Sequence, residues 1–137
     1  MQENLSFFIN QTPFTEHPNA PLAPFSRQEL VKALNFHRSI PGYAPTPLYT
    51  LPALSQKLGV KNIYLKDESQ RFGLKAFKAL GGSYAMACHI AELVGKDISE
   101  LPFDVMTSEE VRHDLQTVTF ATTTDGNHGR GVAWMAR

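Results

Sequence analysis

The chain has 137 residues, 42% of them hydrophobic, which is enough for one ordinary domain with a core. Its 13 basic and 13 acidic residues balance, which argues against a nucleic-acid platform or an electrostatic membrane binder, since both need a basic excess. Cys88 is the single cysteine, so no disulfide forms within the chain, and a reducing, cytoplasmic compartment is the simple interpretation. No secretory signal is predicted, and the uncharged apolar stretch 79–91 is shorter than the roughly 20 residues of a spanning helix.

The N-terminal residues 1–25 are rich in proline, with Pro13, Pro18, Pro21 and Pro24. Proline at this density prevents a helix or a central strand. We interpret the segment as an extended arm whose phenylalanines pack on a neighbour, and a partly disordered terminus explains the composition equally well. Residues 26–137 are where we expect regular structure.

Two helices are predicted next. Ser26 and Glu29 form a capping box, and Leu30, Val31 and Leu34 follow with helical spacing until residues 41–42 end the helix. Residues 43–48 contain two prolines, which favours an extended segment. A second, short helix over residues 52–58 begins with proline and ends at a glycine.

The rest of the chain alternates between strand and helix patterns. Strands are predicted at residues 61–66 and 117–122, because both segments are rich in β-branched, aromatic or other apolar residues. Each is followed by a polar turn and a helix, over residues 77–94 and from about residue 127. A short capped helix lies between them from residue 107. This order predicts an α/β fold with a parallel sheet.

The first turn carries two lysines, Lys75 and Lys78. In a parallel sheet, ligands bind beyond the carboxyl ends of the strands, where such turns lie. Lys78 stands at the start of a helix, where a cation is disfavoured and a neutral amine, as Schiff-base chemistry needs, is favoured. A solvated lysine explains either position. Gly81 and Gly82 cost helix stability, which indicates close approach of another group.

The second turn, residues 122–129, places hydroxyl, carboxylate, amide and imidazole groups together: Thr122, Thr123, Thr124, Asp125, Asn127 and His128, with Gly126 and Gly129. An N-capped helix explains one such polar residue but not a run of them. No phosphate-loop pattern and no serine-hydrolase elbow occurs in the chain. The five histidines lack ligand spacing, so no metal site is predicted.

These turns resemble those of the fold-type II pyridoxal-phosphate enzymes, the family of the tryptophan synthase β chain. The similarity lies in Lys66-Asp67-Glu68, in Ala76-Phe77-Lys78 at a helix start, and in Thr124-Asp125-Gly126-Asn127-His128-Gly129. The Ala-Phe context selects Lys78 over Lys75. Within the family, residues 36–48, 66–85 and 119–134 are most similar to the diaminopropionate ammonia-lyases. Dehydratases and cysteine synthases of the same fold, or a non-catalytic fragment, are the alternatives.

The resemblance implies elimination from D- and L-2,3-diaminopropionate to pyruvate and ammonia, with pyridoxal 5'-phosphate as cofactor. Lys78 is expected to hold the cofactor and to take the α-proton of the L-isomer, and Asp125 to take that of the D-isomer. Asn127 is expected to bind the cofactor's phenolic oxygen. The resemblance also places around the cofactor Phe77, Gly126 and His128 and, further out, Ala76, Gly81, Gly82, Thr122, Thr123 and Thr124.

The family's glycine-rich phosphate loop does not occur in these 137 residues. We therefore expect the chain to be an N-terminal portion of the catalytic domain that binds the cofactor poorly and has no useful lyase activity by itself. The family also implies a small amino-acid substrate and a homodimer for the full-length form, with no nucleic acid and no membrane as partners.

Overall fold

A computed structural model describes residues 23–115, 117–123 and 126–137. Three short 3-10 helices, Ala23–Phe25, Glu68–Gly73 and Ile98–Glu100, accompany the regular elements. Most of the predicted proline-rich arm lies outside the described residues. The regular elements in chain order are α1 Arg27–Ser39, β1 Leu48–Thr50, α2 Pro52–Leu58, β2 Tyr64–Lys66, α3 Lys78–Leu93, α4 Phe103–Met106, α5 Glu109–Leu115 and α6 Asn127–Ala136.

The predicted helix boundaries are confirmed where local signals set them. Ser26 Oγ accepts a hydrogen bond from Glu29 N at 3.3 Å and caps α1. α2 ends at Gly59, whose φ of +66° is the left-handed conformation that glycine adopts without a Cβ penalty. α3 begins at Lys78, one residue after the predicted start.

The core lies between α1, α3, α4, α5 and the Ile98–Glu100 turn. Its most buried side chains include Leu101, fully buried, and Val111 at 2% exposure. Ala87 and Ala91 of α3 belong to it. The core members are Phe36, Ile40, Ala87, Ala91, Ile98, Leu101, Met106 and Val111. We refer to these helices, together with α6, as the helical part.

The apolar residues that follow helical spacing at the start of α1 are not the buried ones. Leu30 and Val31 are 59% and 46% exposed, whereas Phe36 and Ile40, near the end of the helix, enter the core. Phe36 meets Tyr84 of α3 with ring centroids 5.9 Å apart. The face of α1 that packs on α3 and the Ile98–Glu100 turn is therefore the opposite one, and its buried and half-buried residues follow helical spacing: Glu29, Lys32, Ala33, Phe36, His37 and Ile40.

The sheet also differs from the prediction. In the described residues it has two strands, and β1 pairs with β2 in antiparallel register, Tyr49 opposite Leu65. Leu51 N donates to Ile63 O at 3.0 Å and Asp67 N to Pro47 O at 2.9 Å, which extends the ladder at both ends. The structure does not show a parallel sheet.

The predicted strand at residues 117–122 is not a strand. Its described residues are alternately exposed and half-buried, with Val118 and Phe120 facing inward, as in a strand that covers a core on one side. Phe120 meets His89 of α3 edge-on, with centroids 6.3 Å apart. A strand requires a hydrogen-bonded neighbour, and the described residues place none beside this segment.

Candidate active site

Lys78 is the first residue of α3, and its side chain is half-buried. The preceding Phe77 occupies the cap position and is 62% exposed. Lys75 is exposed and lies in the turn before the helix. The predicted placement of Lys78 at a helix start is thus confirmed, while its role remains a prediction.

The turn before Lys78 is conformationally strained. Phe72, Gly73 and Lys75 have φ values of +50°, +68° and +58°. For residues with a Cβ, each left-handed conformation costs about 1–2 kcal/mol. Two such residues within four positions require neighbouring contacts that hold the turn in place.

Arg71 supplies those contacts. Its guanidinium is 5% exposed and donates to both carboxylate oxygens of Glu68, at 2.9 and 3.1 Å. It also donates to Ala44 O at 2.8 Å, and Thr46 Oγ1 donates to Glu68. The hydrogen bonds from Arg71 hold the pKa of Glu68 below its ordinary value. The acidic turn that the family resemblance picked out therefore has a structural role in this chain.

Aromatic rings continue this anchor toward α6. The Arg71 guanidinium carbon lies 5.2 Å from the centre of the Tyr43 ring. Tyr43 contacts Phe72 at 6.4 Å between centroids, and Phe72 stacks on Trp134 of α6 at 4.8 Å and 25°. The turn before Lys78 is thereby joined to both an extended segment and a later helix.

Helix α6 packs directly on the start of α3. A Cβ built at Gly131 would lie 3.3 Å from Ala79 N and 3.5 Å from the Lys78 carbonyl carbon. Glycine favours this approach, because an added Cβ would make a tight contact with backbone atoms, which move less easily than a side chain. Asn127 precedes Gly131 by about one helical turn, or roughly 6 Å along the axis. The structure thus brings the two predicted turns together.

The second turn is only partly described. Asp125 and Thr124 lie outside the described residues. Gly126 has a φ of +100° and its carbonyl accepts from Arg130 N at 3.0 Å, which closes the first turn of α6. Asn127 and His128 are exposed at the start of this helix. Thr122 and Thr123 are also exposed, and Thr122 Oγ1 donates to Thr123 O at 2.8 Å.

The close approach predicted at Gly81 and Gly82 is not found in the described part of the chain. A Cβ at either position would meet nothing within 4 Å. A close contact with the backbone of α3 is made by Gly131, and the place of Gly81 and Gly82 around the cofactor stays a prediction. Sequence analysis missed Gly131 because the helix that lies against it, α3, is distant in the sequence.

Arg71 and His37 were also missed as organisers of the site. Arg71 has one sequence signal, its i,i+3 spacing from Glu68, which matches an ion pair on a helical turn. His37 Nε2 lies 2.8 Å from Leu80 O, and no local pattern predicts a contact across 43 residues.

The donor set fits a cofactor with an aldehyde and polar oxygens. Lys78 offers an amine at the start of α3, and Asn127 offers an amide at the start of α6, the helix that packs on α3. Within the three described ranges, no group of three or more His, Cys, Asp or Glu side chains forms a metal site. No helix of the described chain is long and apolar enough to cross a membrane.

Comparison with known proteins finds relatives that share one name. The diaminopropionate ammonia-lyase of Escherichia coli strain K12 is 47% identical over 135 residues, which are 98% of this chain and 32% of that protein. The Salmonella typhimurium enzyme of the same name is 50% identical over 105 residues, 77% of this chain and 26% of the enzyme. The chain therefore spans a third or less of the length of these relatives.

Solved structures give the same result. The Escherichia coli diaminopropionate ammonia-lyase in complex with D-serine has a TM-score of 0.73 and 50% identity, covering 85% of this chain and 28% of that one. Its complex with an aminoacrylate-PLP azomethine reaction intermediate has a TM-score of 0.71, covering 90% and 29%. Residues 40–137 match the family described as pyridoxal-phosphate dependent enzyme. The chain belongs to this family of pyridoxal-phosphate dependent enzymes.

Proposed function

We propose that the protein carrying this sequence is a pyridoxal-phosphate dependent ammonia-lyase that eliminates ammonia from D- and L-2,3-diaminopropionate and yields pyruvate. The observation that carries this proposal is the contact of Gly131 with the backbone of Lys78 and Ala79. It brings the lysine turn and the Asn127 turn of α6 to one place. The 47–50% identity to diaminopropionate ammonia-lyases supports the substrate.

When bound, pyridoxal phosphate supplies the electron sink for the carbanion formed at the substrate Cα. Lys78 is the residue proposed to hold it. Lys78 is the first residue of α3 and supplies the primary amine that such bonding requires. Asn127 is proposed to hold the cofactor's phenolic oxygen, with Phe77, Gly126 and His128 around it.

Two bases on opposite faces explain activity on both isomers. Lys78 is proposed to remove the α-proton of the L-isomer, and Asp125, which lies outside the described residues, that of the D-isomer. A related enzyme has been crystallised with D-serine, which makes D-serine a suitable probe of the D-specific side. We also infer a cytoplasmic homodimer.

The test uses the protein as its gene encodes it, with pyridoxal phosphate added and then reduced by borohydride. Peptide mass analysis is expected to find the reduced cofactor on Lys78. Lys78→Ala is expected to abolish both the label and pyruvate release, while Lys75→Ala, a matched control three residues away, retains both. A label on Lys75, or pyruvate release by Lys78→Ala, would refute the assignment.

A second variant tests the two-base arrangement. Asp125→Asn is expected to lose pyruvate release from D-diaminopropionate and to keep most of it from the L-isomer. Asn127→Asp keeps the size of a neighbouring side chain and is expected to affect both isomers alike. An equal loss on both isomers in Asp125→Asn would contradict the role of Asp125.

A further inference from the structure

His37 lies near the end of α1 and reaches the start of α3. Its Nε2 is 2.8 Å from the Leu80 carbonyl oxygen, and the two residues are 43 positions apart. A carbonyl oxygen can only accept a hydrogen bond, so the Nε2 of His37 must carry the proton and donate. The side chain is half-buried.

Leu80 is two residues beyond Lys78, in the first turn of α3. Its carbonyl also accepts from Ser83 Oγ at 2.9 Å, and Ser83 is fully buried. Side-chain donors from two elements thus meet at one carbonyl of this turn. The bond from His37 is the one that joins the turn to another helix.

The imidazole ring has little freedom to turn away. It stacks on Tyr43 with centroids 6.3 Å apart and planes 11° from parallel. Phe36 and Tyr84 contact it at 5.9 and 6.0 Å, at tilts of 59° and 56°. These ring contacts fix the direction of the Nε2–H bond independently of Leu80. The hydrogen bond to Leu80 O is therefore preorganised.

The charged and titratable groups around the ring favour its neutral form. Burial lowers the pKa of His37, the hydrogen bond to Leu80 O opposes that change in part, and the charge of Arg71 lowers the pKa further, so that the net direction is down. The phenol of Tyr84 is neutral at pH 7, since burial raises its pKa to about 12. A neutral ring with its proton on Nε2 is the form that suits this contact.

We propose that His37 is a positioning residue for Lys78. Its hydrogen bond to Leu80 O fixes the first turn of α3 against α1, while Gly131 lets α6 approach the same turn at Lys78 and Ala79. The location of the Lys78 amine relative to the α6 turn then depends on both. This inference rests on the proposed function in that Lys78 is the cofactor lysine.

Three substitutions at His37 separate the hydrogen bond from the packing. His37→Gln places an amide N–H where Nε2 stands. His37→Asn carries the same amide one carbon shorter, so that its N–H falls short of Leu80 O. His37→Phe keeps the ring shape and has no donor. If the hydrogen bond from residue 37 to Leu80 O (the tether) positions the turn, His37→Gln keeps the turn in place, whereas His37→Asn and His37→Phe release it.

The first readout is amide hydrogen exchange, measured on the protein as encoded and without cofactor. We expect the amides of residues 80–84 to exchange roughly tenfold faster in His37→Asn and His37→Phe, and within about threefold of the parent rate in His37→Gln. The amides of α5 serve as the control for global unfolding. Equal exchange in the Gln and Asn variants would overturn the proposal, even if His37→Phe fails to fold.

The second readout is the concentration of pyridoxal phosphate needed to label half of Lys78 after borohydride reduction. We expect that concentration to rise about tenfold in His37→Asn and to stay near the parent value in His37→Gln. If the parent protein takes no label at Lys78, the proposed function fails. The exchange measurement then still shows whether the hydrogen bond from His37 holds the first turn of α3. Faster exchange without any change in labelling would overturn the link to Lys78.

Discussion

The helical part and the unit β1–α2–β2 (residues 48–66) are stabilised in different ways. In the helical part, Leu101 is fully buried and Val111 is 2% exposed. In the β1–α2–β2 unit, every residue of both strands is exposed, and Leu48 and Tyr64 are at 63% and 60%. The first region has a hydrophobic core of its own, whereas the second relies on backbone hydrogen bonds and one polar anchor.

This difference matters for the candidate site, because Lys78 lies between the two regions. The anchor formed by Arg71 and Glu68 joins the extended segment just before β1, at Ala44 and Thr46, to the turn that leads to Lys78. Beyond Lys78, the chain enters the helical part and its core. Lys78 therefore lies at the junction of a well-packed region and an exposed one. Substitutions in the two regions are expected to differ in how much they change the free energy of unfolding and in how many residues they affect.

The largest expected effect comes from the core. Leu101→Ala is expected to lower the free energy of unfolding by about 4 kcal/mol, because it leaves a cavity at a fully buried position. Leu65→Ala removes the same atoms from β2, where the side chain is 50% exposed, and is expected to cost less than about 1 kcal/mol. Urea denaturation measures both, and similar losses would contradict the contrast between the regions.

Arg71→Ala tests the anchor. It leaves the Glu68 carboxylate and the Ala44 carbonyl without their cation, at a cost of about 3 kcal/mol. Amide exchange should rise in β1, β2 and the Glu68–Gly73 turn and stay slow in α5. Arg38→Ala, at an exposed position of α1, is the control and is expected to stay within about 0.5 kcal/mol of the parent. Faster exchange throughout the chain would refute a local anchor.

Two glycines on the facing helices are expected to respond in opposite ways. Gly81→Ala adds a methyl group where nothing lies within 4 Å and should stabilise α3 by up to about 1 kcal/mol. Gly131→Ala places its methyl group 3.3 Å from a backbone nitrogen, so the steric cost offsets that gain. We expect Gly131→Ala to be about 1 kcal/mol less stable than Gly81→Ala in urea. Equal stability would show that α6 does not depend on this close approach.

The smallest expected effect is one of pH. The pKa of His37 in the folded chain is lowered from its ordinary value of 6.5, so the unfolded chain takes up the proton first as the pH falls. Its contribution to stability is complete above pH 6.5 and is lost as the pH falls below it. Urea denaturation between pH 8 and pH 5.5 should show a smaller decline in His37→Gln than in the parent. If the free energy of unfolding falls equally in His37→Gln and in the parent, titratable groups other than His37 cause the fall.

The sequence predicted those elements whose signals are local. The Ser26 cap, the glycine after α2 and the start of α3 at Lys78 each depend on a few neighbouring residues, and the structure confirms them. The two turns of the candidate site were also recognised from their own residues. The structure then adds the contact that brings them together.

The features that sequence reasoning missed depend on distant residues. Residues 117–122 have the composition of a strand, but a strand exists only when another strand lies beside it. Leu30 and Leu34 have the spacing of a buried face, but α3 packs on the opposite face of α1, which carries Phe36. In the same way, nothing near Gly131 in the sequence indicates that the backbone of Lys78 lies against it.

The stack of Trp134 on Phe72 has a practical consequence. Trp134 is the sole tryptophan of the sequence, and its ring lies 4.8 Å from that of Phe72, in the turn before Lys78. Its fluorescence therefore originates at the contact between α6 and that turn. An emission spectrum, with no added label, reports whether the two halves of the candidate site are docked, and it can be followed in real time as the chain folds.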